Sequence, residues 1–431
     1  MGASEGLRHV RYEIRGRLAR RAHELERQGY EIISLNIGNP GAFGLRTPET
    51  MRLAMIENLA QAEGYCHQKG IFPAREAVVM QQQARGVLGV TAEEVFIGNG
   101  VSELIDLTLR ALLNDGDEVL VPSPDYPLWT AAVTLNRGRA VHYACRPENA
   151  FVPDPEEVAR LVSPRTRALV IINPNNPTGA VYPRAVLQAL AQLAERGGLV
   201  VFSDEIYDQM TYDGAEFVPM ATLARDTLCA TLSGLSKVYR ACGYRVGWAA
   251  FSGRTHLAAD YLNALELLAS LRLCSSVPAQ WAVQTALGGH QSIRELVSSG
   301  GRLAESRAAI LRAVGESRFL TLAPPGGAMY AFVGVDTRAL EDFDDQQFAL
   351  DLLEQKHVLV APGVSFNVPY RNHFRVTNLP DAATLREVFG RIEDLLFSYA
   401  RGERAAEGAA APTAGEGKVR TPHQVISLKR S

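Results

Sequence analysis

The chain has 431 residues, 47% of them hydrophobic and 21% charged, with a formal net charge of -3. That length buries a sizeable core without disulfides or a structural metal, and so small a charge gives no electrostatic case for nucleic acid or an acidic membrane surface. The five cysteines (Cys66, Cys145, Cys229, Cys242 and Cys274) are odd in number and lack any Cys-x-x-Cys spacing, which fits the reduced thiols of a cytoplasmic protein.

Residues Met1 to Gly6 are polar and lead into an Arg-rich stretch, so no secretory signal is expected. From Val10 to Gln28 apolar residues recur at helical spacing (Leu18, Ala22, Leu25) until Gly29 breaks the pattern. A short apolar run, Ile32 to Leu35, is closed by the loop signal Gly38-Asn39-Pro40-Gly41. Between Val95 and Phe251 the pattern becomes short apolar runs alternating with helix-like segments. The runs are Val95–Ile97, Val119–Val121, Ala140–Tyr143, Ala168–Ile172, Leu199–Phe202, Leu228–Leu232 and Arg245–Phe251. Apolar residues on consecutive positions mark strands buried on both faces. Their alternation with helices predicts an α/β fold with a mostly parallel sheet between helical layers. A long helix is expected from about Asn263 to Gln291, leading into a second unit that runs through Leu303–Val314 to Leu396. No apolar run approaches the ~20 residues of a membrane span. Residues from about Arg401 to Ser431, rich in Ala, Gly, Pro and charge, are expected to form a disordered tail, whose patch Val425 to Leu428 leaves a docking peptide open.

Ligands of open parallel sheets bind beyond the carboxyl ends of the strands, so the residues that follow each run are informative. Gly98-Asn99-Gly100-Val101-Ser102 feeds a helix and is a candidate phosphate cup, although a plain tight turn explains it nearly as well. Pro122 to Trp129 is an extended loop whose aromatics either cover a flat ring or pack as core. Asn173 to Gly179 holds amide side chains in a rigid turn. Asp204, at the end of a buried run, needs something cationic to face it. Ser233-Gly234-Leu235-Ser236-Lys237 follows the next run, with Arg245 eight residues on. Burial and a neighbouring cation favour the neutral form of an amine, so a lysine here is a candidate for a Schiff base. Each residue alone has a bland structural explanation; five strand ends carrying the set together do not.

With these stretches the chain resembles the fold-type-I, class I pyridoxal-phosphate aminotransferases, and among them the bacterial glutamate–pyruvate (alanine) group. The likeness covers about Leu7 to Tyr399. It rests on Leu35–Pro40, Gly64–Gly70, Ile97–Leu104, Pro124–Ala132, Ile171–Tyr182 and Gly234–Arg240. It implies a large domain with a mostly parallel seven-stranded sheet flanked by helices, plus a smaller α/β domain. The expected division is an amino-terminal segment at 1–45 that adds to the small domain and covers the active site, a large domain at 46–290, a small domain at 291–400 and the tail at 401–431.

The resemblance also implies roles for particular residues. Lys237 is expected to hold pyridoxal 5′-phosphate covalently and to move the proton between Cα and C4′. Asp204 would face the pyridine nitrogen, Tyr207 and Asn176 would bond the ring's 3′ oxygen, and Tyr126 would stack on the ring. The phosphate would sit on Gly100, Val101 and Ser102, with Arg245 and either Ser236 or Ser233 adding donors. Tyr65 is expected to reach the phosphate of a second subunit, making the active unit a homodimer. Arg375 would grip the substrate carboxylate through paired hydrogen bonds, completed by Gly38 and Asn176. Tyr12 and Arg15 match a segment that closes over the pocket. The implied reaction is a ping-pong exchange between an L-amino acid and a 2-oxo acid, with L-alanine and 2-oxoglutarate giving pyruvate and L-glutamate.

Three departures bear on substrate breadth. Arg17 stands where a proline is expected, Arg46 is unusual beside Phe43, and Val238 replaces a more usual Thr. Another amino acid in a specialised biosynthetic pathway therefore stays open, as does an elimination or oxygen-using reaction on the same cofactor. A cofactor-binding regulator is disfavoured because no helix-turn-helix-sized segment precedes Val10. No His-Glu-x-x-His or Cys/His cluster points to a metal.

Overall fold

The structure, a computed structural model, describes residues 2, 6, 7, 10 and 16–403. After a two-residue strand β1 (Ile33–Ser34), each of the seven apolar runs holds a strand: β2 (Val95–Gly98), β3 (Glu118–Ser123), β4 (Arg139–Ala144), β5 (Thr166–Ile172), β6 (Val200–Asp204), β7 (Leu228–Gly234) and β8 (Gly247–Gly253). They form one sheet in the order β2-β8-β7-β6-β5-β3-β4. Four neighbouring pairs are parallel, and β8 runs against both β7 and β2. The sheet is the mostly parallel one the sequence predicts.

The consecutive apolar positions have the anticipated cause. Leu169 and Ile171 of β5 enter one hydrophobic core, while Ala168, Val170 and Ile172 enter another on the opposite face. Helices Phe72–Ala84 and Arg184–Gly197 supply the first core; Val101–Leu112, Leu128–Leu135 and Ala259–Leu271 supply the second. With both faces covered, apolar residues are favoured at both sets of alternate positions.

A smaller sheet follows, built from β9 (Leu320–Thr321), β10 (Tyr330–Val335), β12 (Ala361–Pro362) and β13 (His373–Thr377) in the order β12-β13-β10-β9, all antiparallel. A further strand, β11 (Val358–Leu359), pairs in parallel with β1. The period-two alternation of strand side chains decides what β10 does. Ala331, Val333 and Val335 enter a third core with helices Arg302–Glu316 and Ala382–Ala400, while Tyr330 and Phe332 face the first core of the large sheet. β10 thus carries side chains into the space between the two sheets.

One helical expectation needs correction. The long helix over 263–291 is broken: Ala259–Leu271 ends, Leu273 takes a left-handed φ of 68°, and a 3-10 turn at Pro278–Trp281 precedes helix Ala282–Gly288. Pro278 opens that 3-10 turn, and the Gln280 amide bonds the Ser275 and Ser276 carbonyls. The first helix among the described residues is Arg17–Arg27, within the stretch of helical spacing, and Gly29 follows it with a φ of 95°. Tyr12, Arg15 and the stretch 404–431 lie outside the described residues. Among the described residues no helix is long and apolar enough to cross a membrane.

Candidate active site

Strand register brings the carboxyl ends together. Asp204 pairs with Ile172 of β5 on one side and Leu232 of β7 on the other. Gly98, ending β2, and Gly234, ending β7, both pair with Gly247 at the start of β8. The glycine cup and the Lys237 loop therefore flank one strand end. A cavity of about 1050 Å³ opens over this edge.

The cup is built on the amino terminus of helix Val101–Leu112, whose first residues, Val101 and Ser102, line the cavity. Gly100 precedes them at φ 83°, and a Cβ there would run into the Arg245 guanidinium. Arg245 itself lines the cavity and donates to the carbonyls of Cys242 (3.1 Å) and Asn99 (3.2 Å). A helix amino terminus beside a guanidinium is a site for a phosphate.

Lys237 projects from the turn after β7, and its Nζ donates to the carbonyl of Gly38 at 2.6 Å. Gly38 has no room for a side chain, because the Tyr330 hydroxyl occupies the place of its Cβ. Asp204 is buried below the same cavity. Burial pushes its carboxyl up to about 6, against the opposing pull of Trp129 Nε1 (3.1 Å), the Ile206 N–H (3.4 Å) and the charge of Lys237. Behind it, Glu205 accepts from Met220 N (3.0 Å) and Ser203 Oγ (2.9 Å), and Arg85 pairs with both Glu205 and Asp208, which anchors the loop. Tyr207 donates its hydroxyl to that of Tyr330 at 3.3 Å. Burial raises the Tyr207 phenol well above its ordinary value. Burial opposes ionisation of Tyr330 too, but Lys237 and Arg375 outweigh it and hold that phenol below its ordinary value.

Arg375 comes from β13 of the smaller sheet and is 1% exposed. Its Nη1 donates to Asn176 Oδ1 at 2.8 Å and its Nη2 to the Asn36 carbonyl. The guanidinium lies between the rings of Tyr330 (4.2 Å) and Phe366 (4.7 Å). Neither of those two acceptors is a carboxylate, no ion pair is formed by Arg375 among the described residues, and its Nε has no hydrogen-bond partner. A buried guanidinium left in this state is costly unless an anion completes it.

Of the residues singled out from the sequence, Gly38, Val101, Ser102, Tyr126, Asn176, Asp204, Tyr207, Ser236, Lys237, Arg245 and Arg375 line this one cavity. Ser233 does not: it is buried and donates to the Glu205 carbonyl at 3.4 Å, so of the two serines only Ser236 faces the space. Tyr65 is also away from it and 81% exposed. Arg46 is exposed and takes no part in the lining, whereas Phe43 does. Sequence reasoning missed Tyr330 and Cys242, both in the lining; of the two roles left open for the loop aromatics, Trp129 packs as core and its indole serves Asp204. Helix Arg17–Arg27 adds Ala19, Ala22, His23 and Glu26.

The donor set fits pyridoxal phosphate. A buried carboxyl without a bonded cation suits a protonated pyridine nitrogen, the cup and Arg245 suit a phosphate, and the lysine lies in the same space. This arrangement on a mostly parallel sheet defines a class, and the comparisons agree. Residues 30–392 match the family Aminotransferase class I and II, and the chain belongs to that family. It is a pyridoxal-phosphate-dependent aminotransferase. It is 47% identical to glutamate-pyruvate aminotransferase AlaA of Haemophilus influenzae over 92% of this chain and 98% of that one. It is 45% identical to alanine aminotransferase of Mycobacterium tuberculosis, over 92% of each. The crystal structure of an aminotransferase from Escherichia coli superposes with a TM-score of 0.91, at 45% identity, covering 93% of this chain and 99% of that one.

Proposed function

We propose that the enzyme transfers an amino group between L-alanine and 2-oxoglutarate, giving pyruvate and L-glutamate. The observation that carries this reading is the buried Arg375, without a carboxylate partner among the described residues, facing the same cavity as Lys237 and Asp204. Arg375 grips the substrate carboxylate through two parallel hydrogen bonds, with Asn176 and the Gly38 backbone completing the seat. Lys237 Nζ takes the proton from the substrate's Cα. When bound, the cofactor supplies an electron sink for the charge left on that carbon. Asp204 keeps the ring nitrogen protonated, and Tyr207 with Asn176 orients the ring's 3′ oxygen. Tyr126 covers the ring face, while Val101, Ser102, Ser236 and Arg245 hold the phosphate. The names of the relatives support alanine and glutamate as the amino acids.

The same reading includes a cytoplasmic homodimer and a division into large (46–290) and small (291–400) domains. The five free thiols agree with the compartment. Leu53, Ile56, Leu59, Phe72, Leu267 and Leu271 are exposed apolar side chains, and Gln68–Glu266 (2.7 Å) and Lys69–Glu266 (2.9 Å) contacts join the stretches that carry Phe72 and Leu267. Exposure of this kind suits a second copy, with Tyr65 reaching the neighbouring site.

The test is a half-reaction with the cofactor-loaded enzyme and single L-amino acids in the absence of any oxo acid. Alanine and glutamate should each convert the cofactor's lysine-linked absorbance to that of its amino form, and Lys237→Ala should not respond. Persistence of the original band with accumulating ammonia would replace this reading with an elimination or oxidative one.

A further inference from the structure

Two stretches from different sheets meet beside the cavity. Pro122 to Trp129, which closes β3, brings Tyr126 to the lining and Trp129 to Asp204. The turn Gly363–Phe366 and the following Asn367, between β12 and β13, lay Phe366 against the Arg375 guanidinium. One carboxyl joins them. Asp125, with 0% of its surface exposed, accepts from Thr130 Oγ1 at 2.5 Å through one oxygen and from Asn367 Nδ2 at 2.9 Å through the other. Beside this bridge, Asp125 N donates to the Phe366 carbonyl (3.1 Å) and Ser123 Oγ to the Asn367 carbonyl (2.7 Å). Thr130 Oγ1 also lies 2.9 Å from His142 Nε2.

We propose that Asp125 is a positioning residue that sets the spacing between the cofactor-ring pocket and the Arg375 carboxylate grip, acting through Thr130 on one side and Asn367 on the other. The inference rests on the aminotransferase reading of the cavity. Its physical basis is that catalysis between two separately held groups depends steeply on their separation, with ~1 Å of misplacement costing up to about 10²-fold. The large sheet holds Lys237, Asp204 and the phosphate cup, and the smaller sheet holds Arg375. Packing alone brings the sheets into contact; a buried, directional bridge fixes where one loop stands against the other. Burial pushes the Asp125 carboxyl up to about 7, against the bonds from Thr130 and Asn367 that lower it. Near neutral pH its hydrogen-bonding geometry, more than its charge, then makes the bridge, so an amide of the same shape serves as well.

Asn367 allows a clean test, because its φ of 55° is left-handed and Asn367→Gly removes the amide while keeping the backbone at ease. For the parent, Asn367→Gly, Asp125→Ala, the double variant and Asp125→Asn, three quantities are measured. These are the affinity of the cofactor-stripped protein for pyridoxal phosphate, KM and kcat for the amino donor, and Tm. Asn367→Gly and Asp125→Ala should each raise KM about tenfold and weaken cofactor binding several-fold, with a smaller loss of kcat. The double variant should be no worse than the poorer single one, and Asp125→Asn should stay within about threefold of the parent. A lowered Tm in Asn367→Gly with unchanged KM and cofactor affinity overturns the proposal, as do losses that multiply in the double variant. Should Asp125→Ala not fold, Asn367→Gly decides by itself. A parent that binds the cofactor but turns over neither alanine nor glutamate counts against the proposed reaction, while the cofactor affinities still judge the bridge.

Discussion

At Asp204 the role proposed in the reaction opposes the stability of the cofactor-free fold. Its carboxyl ionises near 3.8 in an unfolded chain and about 6 in the folded one. Between those values the native state holds a proton that the unfolded state has released, so stability falls as pH rises through the window and stays lower above it. The gap is worth roughly 3 kcal/mol. Asp204→Asn should therefore raise the Tm of the cofactor-free protein at pH 7.5, by an amount that shrinks as pH falls toward 4, while lowering kcat by about 10²-fold or more. Thermal melts across pH, set beside steady-state rates, check both halves; a variant less stable at pH 7.5 would refute the account. Tyr330 makes a second case at this scale. Tyr330→Phe removes the acceptor of the Tyr207 hydroxyl and should cut kcat/KM about tenfold with little change in Tm. Asp204 was legible in the sequence because a carboxylate closing an apolar run demands an explanation. Tyr330 was not, since a tyrosine in Gly326 to Tyr330 looks like core. Its trace lay in Gly38, whose missing side chain leaves space for the Tyr330 hydroxyl, and only the fold pairs the two.

Among elements, the seven strands of the large sheet could be read because burial on both faces favours apolar residues up to the strand ends. That constraint says nothing of direction, so the reversal of β8 was invisible, although it places Gly247 between the cup and the lysine loop. The break after Leu271 was missed for a related reason: apolar spacing continues across it, and the Gln280 amide bonds that hold the turn depend on tertiary placement. The cup is where an element's geometry bears most directly on binding. Gly100→Ala would force an alanine to φ 83°, ψ 164°, a region open almost only to glycine, at a cost of roughly 1–3 kcal/mol, and drive its methyl into Arg245. Displacing Arg245 from the cup should weaken pyridoxal phosphate binding at least about tenfold while leaving the far-UV spectrum unchanged. Fluorescence titration of the cofactor-stripped variant measures this, and parent-like affinity would show that the helix amino terminus binds the phosphate without Arg245.

For the whole molecule, Tyr65 is the residue on which the proposed homodimer can be tested. It is 81% exposed and takes no part in lining its own subunit's cavity, as expected of a side chain that serves a neighbour. The sequence suggested the role only through resemblance, because a tyrosine in a polar loop carries no mark of what it will meet. Subunit mixing tests it without disturbing the fold. A Tyr65→Ala homodimer should be weak and a Lys237→Ala homodimer inactive, since each lacks one component at both sites. In a mixed dimer, the Tyr65→Ala subunit keeps its own lysine and receives Tyr65 from the Lys237→Ala partner, which restores one of the two sites. Random exchange at equal amounts makes about half of the dimers mixed, so activity should recover to about a quarter of the parent's. If Tyr65 instead served its own subunit, each site would stay deficient in every combination, and the mixture would give no more than the average of the two variants measured apart.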